Sequence, residues 1–306
     1  MALSALPTEL LHAISGHLGL QDRLGLCRTN SHMHSICIQW IYRVVAIKDP
    51  AQLLLCCKTI IARPEAALSV WQLKIDCFPG YALKSFYTTL RFAATKMENL
   101  QVITMASPHL FCTIADMVFP RLTDCNIPLS LDSADSYSFL HRNPTIERVF
   151  IIPVPDQSIP NNFDQIQSIH MPRLRHFVGP EIAACALGPN PSMGYSHGLS
   201  AASSSTAELC ALTTMIASWD IALPAVIAKH TPRIQVLNIW GPTISDLGSK
   251  KEDFLSAMDD FLPSLTCLVD LIVSDKTSYN RISEALESEF DRVRRWGDAC
   301  PTPEAY

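Results

Sequence analysis

The pentapeptide Gly194-Tyr195-Ser196-His197-Gly198 has the Gly-x-Ser-x-Gly form. On a sharp strand-to-helix turn, that form presents a serine as an acyl-transfer nucleophile. Asp220 and His230 follow it in the order that such hydrolases use. The geometry needs a buried strand before the serine and a helix after it. Here the approach is Gly188-Pro189-Asn190-Pro191-Ser192, whose two prolines break a strand, and the exit is a Ser/Ala run without periodicity. A serine hydrolase acting through Ser196 therefore ranks below the readings that follow. Metal and phosphate chemistry find less support. His32 and His34 are two residues apart and cannot share a helical face; His12 and His17 are five apart, which is not a zinc-ligand spacing. Gly248-Ser249-Lys250 lacks the upstream glycine that a phosphate-binding loop requires, and there is no dinucleotide-binding fingerprint. The 11 cysteines are scattered without a Cys-x-x-Cys pair, and Cys56-Cys57 are adjacent within an apolar run. The chain reads as a non-enzyme that needs no cofactor and no metal.

The composition limits what such a chain can do instead. Hydrophobic residues make up 48% and charged ones only 17%, so this is a globular sequence rather than a disordered one. A formal net charge of −5 with no basic stripe argues against nucleic acid as a partner. The longest apolar run, Leu53 to Ala62, contains Lys58 and falls short of the roughly 20 residues that span a bilayer. The N-terminus lacks a basic start and an uninterrupted apolar region, so it does not read as a secretory signal. An odd, unpatterned cysteine set without a permitted glycosylation sequon suits a reducing cytosol or nucleus, with the cysteines acting as small buried apolar filler.

The densest information lies at the N-terminus. Pro7 suits the first position of a helix, and Glu9 places negative charge in its first turn. Leu10, Leu11, Ile14 and Leu18 then fall on one stripe, and Gly19 is expected to end the helix. Asp22 is expected to cap a second short helix with Leu24, Leu26 and Cys27 inward. Asn30 or Ser31 caps a third that carries Met33, Ile36, Cys37, Trp40 and Ile41. Three short helices here hold more apolar surface than so small a segment can bury. Leu6-Pro7-x-Glu9-Leu10-Leu11-x-x-Ile14-x-x-x-Leu18, the Asp22-x-Leu24-x-Leu26 step and the Ile41-Tyr42-Arg43 exit resemble the F-box, the helical module that docks substrate receptors onto cullin-based ubiquitin ligases. Met33 stands where many F-boxes carry Trp or Phe, and Thr29 where an aliphatic residue is common.

The remainder is expected to alternate strand and helix. Val44 to Ile47 reads as a strand, Pro50 to Ala62 as a helix, Val70 to Asp76 as a half-buried strand and Tyr81 to Lys96 as a helix. From Met97 a phrase of the form x-Pro-x-Leu-x-x-apolar recurs. It is anchored on Leu100, Leu122, Ile146, Leu174, Ile234 and Leu265, with a proline-free candidate at Glu208 to Leu212. Successive anchors lie 22, 24 and 28 residues apart at first and 31 at the end. These spacings, with short strands and apolar edges that no single unit can bury, resemble irregular leucine-rich repeats. The strict consensus with its asparagine ladder is absent, although Asn126 and Asn238 fall inside two copies. Ile152 to Asn162 and Gly188 to Thr206 read as loops. Ile282, Leu286, Phe290 and Val293 form the stripe of a terminal capping helix that Gly297 should stop.

The expectation is an α/β chain in three parts: a three-helix F-box over residues 4–47, an irregular leucine-rich-repeat-like solenoid over 48–276, and a capping helix with its tail over 277–306. The resemblance implies a substrate-recognition adaptor of an SCF-type ubiquitin ligase. It would dock the Skp-family linker protein, and through it a cullin–RING complex, while the repeats hold a protein substrate. The docking set would be Leu6, Pro7, Leu10, Leu11, Ile14, Leu18, Leu24 and Leu26, with Met33, Ile36 and Trp40 from the third helix. Some of these must face the interior of the module, and spacing alone does not divide them. The alternative is a protein-binding repeat protein with no ligase. Arg121, Arg173 and Arg233 recur at one position of the phrase, where they could read a phosphorylated motif or simply be solvated.

Overall fold

A computed structural model of the chain describes residues 6–79, 83–129, 134–153, 171–180, 209–216, 218–242, 248–275 and 286–299. The Ser196 pentapeptide, the Gly188–Thr206 segment, most of the 152–162 loop, Ile282 and residues 300–306 lie outside them. The protein is of the α/β class, with helices alternating with parallel strands. It forms two compact units, Met1–Pro128 and Leu129–Tyr306, so the division falls within the region expected as one repeat domain.

The first unit begins with helices α1 (Thr8–His17), α2 (Leu20–Cys27) and α3 (Ser31–Arg43). Strand β1 (Val44–Ile47) follows α3 with no linker, because side-chain period changes at once from helical to alternating. Helices α4 (Pro50–Ala62) and α5 (Pro64–Ser69), strand β2 (Gln72–Ile75), helix α6 (Lys84–Ala94), strand β3 (Val102–Met105), helix α7 (Pro108–Cys112) and strand β4 (Asp124–Leu129) complete it. Asp49 caps α4 by accepting the Gln52 N–H at 3.0 Å, and Pro50 sits in the first turn, where no N–H is missed. Strand β1 and helix α4 have the expected bounds.

The second unit contains helix α8 (Ala134–Arg142), strands β5 (Arg148–Pro153), β6 (His176–Pro180) and β7 (Ala211–Met215), helix α9 (Leu223–His230), strand β8 (Val236–Gly241), helix α10 (Gly248–Phe261), strand β9 (Asp270–Asp275) and helix α11 (Leu286–Ala299). Helix α11 runs through Gly297, where a stop was expected. A Cβ at that position would meet nothing within 4 Å, and no left-handed backbone is required there.

Each strand pairs in parallel with the next in chain order, β1 through β4 in the first unit and β5 through β9 in the second. Registers are unbroken. Val45, Leu73, Ile103 and Cys125 form one buried row, as do Val149, Phe177, Leu212 and Leu237 in the second unit. The row therefore supplies one apolar side chain per strand, and each is covered by its neighbours.

The recurrent phrase has a structural cause. At each copy the anchor N–H closes a turn onto the carbonyl three residues earlier: Leu100 to Met97, Leu122 to Phe119, Ile146 to Asn143, Leu174 to Met171 and Ile234 to Thr231. Where the phrase has a proline, it occupies the second turn position, whose φ it fits. The anchor side chains are buried. After the anchors Leu100, Ile146, Leu174 and Ile234, the next residue offers its carbonyl to two successive N–H groups at the entry of the following strand. Gln101 accepts from Thr123 and Asp124, and Glu147 accepts from Arg175 and His176. Cys210 accepts from Val236 and Gln235 in the same way, which makes Leu209 the anchor of the proline-free candidate. Two positions differ from the expectation. Val70, whose N–H bonds the Ala67 carbonyl, is an earlier copy that the proline search passes over. The last strand enters after Leu268 rather than Leu265, because Leu262-Pro263-Ser264 adds an extra turn before it.

Candidate partner-binding site

The three N-terminal helices are held by few but specific groups. Pro7 stands just outside α1 as its cap rather than inside its first turn, and its carbonyl accepts the N–H groups of both Leu10 and Leu11 at 3.1 Å. Helix α1 stops at His17, and Gly19 serves as the cap of α2. Asp22, expected at that cap, lies in the first turn, where its charge suits the helix dipole. Asn30 caps α3, its side-chain oxygen accepting the Met33 N–H at 2.8 Å.

Arg23 ties these helices together. Its guanidinium donates to the carbonyls of Ser15 at 2.8 Å, Gly16 at 3.0 Å and Trp40 at 3.2 Å. Those carbonyls belong to the last turns of α1 and α3, where helices leave acceptors unpaired and carry partial negative charge. Two cations approach the Trp40 ring, Arg23 at 5.8 Å and Arg43 at 4.8 Å from its centroid; Arg43 also lies 5.5 Å from Trp71. Gly16 leaves room for Trp40, since a Cβ there would sit 3.0 Å from the ring.

The structure divides the expected docking residues. Leu11, Met33, Ile36 and Cys37 form the closed core of the module, and Leu6, Leu26, Cys27 and Ile41 pack against it. Leu11 is fully covered. Leu18 and Trp40 are partly covered, and Pro7 is exposed. The outward set is Leu10, 51% exposed, with Ile14 at 39% one turn further along α1, and Leu24 at 38% on α2. Leu20, at 55%, shares the Leu24 face one turn earlier. It was absent from the expected set, although an i, i+4 leucine pair on a short helix signals it. No residue of α2 is fully buried, so this helix presents apolar surface that its own chain does not shelter.

In the second unit, the sheet carries a second exposed apolar set on its outward rows. Phe150 and Ile272 are exposed, with Thr213 and Asn238 in register between them. The Asn238 amide donates to the Thr213 hydroxyl at 3.2 Å. Arg121, Arg173 and Arg233 are all exposed at the turns before their strands.

The residues considered for catalysis are used otherwise or lie outside the described residues. Asp220 accepts the Ala222 N–H at 2.9 Å and so shapes the entry to α9, while His230 ends that helix. Among the described residues there is no group of three or more His, Cys, Asp or Glu side chains that could hold a metal ion, and no helix is long and apolar enough to cross a membrane. Burial pushes the Cys57 thiol up to about 12 and raises Cys125 further, as expected of packed rather than reactive cysteines. The nine described cysteines are free thiols. No family model matches the chain, and no curated protein matches it.

Proposed function

We propose that this chain is a substrate-recognition adaptor of an SCF-type ubiquitin ligase. Its N-terminal helices act as an F-box that docks a Skp-family linker protein. Its strand-and-turn units act as an irregular leucine-rich-repeat solenoid that binds a protein substrate, and α11 acts as the cap. The observation that supports this reading most is the division within α1: Leu11 completes a closed core while Leu10 beside it and Ile14 remain uncovered. Docking then falls to Pro7, Leu10, Ile14, Leu20 and Leu24, with Leu6, Leu18 and Trp40 at the margin, while Leu11, Leu26, Met33 and Ile36 hold the helices in place. An adaptor performs no chemistry. It raises the effective concentration of a substrate lysine near a charged ubiquitin-conjugating enzyme. The outward sheet rows around Phe150, Asn238 and Ile272 are the proposed substrate face. The cytosol or nucleus is the proposed location, consistent with the free thiols.

The test is binding of the full chain to the purified linker protein, comparing wild type with Leu10→Asp/Ile14→Asp and with Leu20→Asp/Leu24→Asp. All four positions are exposed, so helix content by circular dichroism should be preserved. The expected result is wild-type binding that each double variant weakens more than about tenfold. Wild type that fails to bind, or folded variants that bind as well as wild type, removes the ligase reading and leaves a protein-binding repeat protein.

A further inference from the structure

The outward rows of the second unit are ordered by charge. Strand parity and register place Arg148, His176 and Asp270 on one row, with the uncharged Ala211 and Val236 between His176 and Asp270. The next row holds Phe150, Val178 and Ile272, with Thr213 and Asn238 between the last two. Arg148, Phe150, His176, Asp270 and Ile272 are exposed, and Val178 is partly so. Among the described residues of these two rows, Arg148 and Asp270 are the only fixed charges, one on β5 and the other on β9. Glu147 has the opposite parity, and the turn arginines Arg173 and Arg233 lie before the rows rather than on them. Adjacent strands are about 4.8 Å apart, so the four steps from β5 to β9 separate the opposite charges by about 19 Å, beyond the screening length at physiological salt. The first unit has no such order: Lys74 and Asp124 fall on different rows, and strands β1 to β4 hold no aromatic residue.

We propose that this face selects an extended protein segment laid across β5 to β9, its acidic end over Arg148 and His176, its apolar side chains along the Phe150–Ile272 row and its basic end over Asp270. The inference rests on the reading of these rows as the substrate face and adds the order of charge that a substrate must carry. An extended chain advances about 3.3 Å per residue, so about six residues reach from one end to the other. The strands already pair with each other through their main chains, so recognition falls to side chains. Complementary charge at both ends fixes the direction and register of the segment, and the apolar row between them supplies contact. A polyanion such as nucleic acid fits poorly, because Asp270 repels one of its ends. Exposed ion pairs are individually weak, so selection comes from the two ends acting together and is sensitive to salt.

Fluorescence anisotropy with the full chain compares three labelled peptides: Glu-Glu-Leu-Ser-Val-Leu-Lys-Lys, the same peptide with glutamine at every charged position, and the same with glutamate at every charged position. At low salt the mixed-charge peptide should bind about fivefold tighter than either of the others, and the margin should shrink in about 0.5 M salt. Asp270→Lys, at an exposed position, should turn the preference to the all-glutamate peptide, a reversal that mere loss of structure would not produce. Phe150→Ser should weaken all three. The proposal is overturned if wild type prefers the all-glutamate peptide or if Asp270→Lys leaves the preference unchanged. Equal binding of the mixed and glutamine peptides, both weakened by Phe150→Ser, overturns the order of charge and leaves the substrate face standing. If wild type binds none of the three, the substrate face falls with it.

Discussion

The three N-terminal helices and the strand stack of the second unit solve the same burial problem in different ways. In the stack, each strand offers one interior row of apolar side chains, and the next strand in register covers it. Phe177, Leu212, Leu237 and Ile239 are all buried by this repetition. The helices have no neighbour of their own kind. They close a small core around Leu11, Met33, Ile36 and Cys37 and leave Leu10, Ile14, Leu20 and Leu24 outside. Repetition thus hides nearly every apolar residue on one face, whereas the three-helix unit fully buries only Leu11 of its described leucines and holds together through a polar clamp. The difference leaves the surplus apolar surface on the helices rather than in the interior of the stack.

The comparison is sharpened first at Gly241, in the stack. A Cβ there would lie 2.0 Å from the buried Trp219 ring, which in turn packs on Phe254 at 5.1 Å between centroids. Trp219 would have to shift and both rings are buried, so Gly241→Ala should destabilise the second unit by about 3 kcal/mol. Urea unfolding measures this through the midpoint. A loss near zero would mean that the stack is loose at Trp219, and the contrast with the helices would weaken. An effect of comparable size lies within one helix. Leu11→Ala should destabilise the helical module by roughly 2–5 kcal/mol, whereas Leu10→Ala should change its stability by less than about 0.5 kcal/mol. Equal losses would mean that both leucines are structural and that no surplus apolar surface exists.

Legibility followed the length of the signal. Helix α4 and strand β1 were readable because Asp49-Pro50 marks a cap and a first turn, and because Arg43-Val44 changes the period at once. The boundaries of α1 and α2 were missed by one to three residues. Pro7 and Gly19 are each compatible with two neighbouring cap positions, and only backbone geometry separates them. The turns anchored on Leu122, Ile146, Leu174 and Ile234 are visible through their prolines. Where the same hydrogen bond forms without proline, as at Val70, composition carries no mark of it. At the candidate site, helical spacing identified the apolar residues but could not divide Leu10 from Leu11. Adjacent positions on a helix differ by about 100°, and which of them faces inward depends on where α3 lies. Arg23 could not be read at all, because its partners are main-chain carbonyls that have no sequence signature.

That arginine carries the third prediction. Three carbonyls at the ends of α1 and α3 depend on one planar guanidinium, and no other described side chain reaches them. Arg23→Ala should destabilise the module by about 2 kcal/mol, the range for hydrogen bonds from a charged donor. Arg23→Lys should restore less than half of this, since an ammonium cannot span three acceptors arranged for a fork. Thermal unfolding followed at the Trp40 ring, which Arg23 overlies, would report the loss. Full rescue by lysine would show that charge alone holds the helix ends.

The smallest effect belongs to Asn30. Its oxygen satisfies one N–H at the start of α3, so Asn30→Ala should cost about 1 kcal/mol, and Asn30→Asp should retain most of the stability. The value matters because α3 is the element that both closes the helical core and continues into β1 without a break. If the cap loosens only the first turn of α3, exchange should rise at Ser31 to His34 and remain slow at Ile36 and beyond. If it also rises through Ile41 into β1, the helices and the first strands unfold as one cooperative piece. The module then owes its stability to the strands it joins, and the independence that the comparison assigns to it is lost.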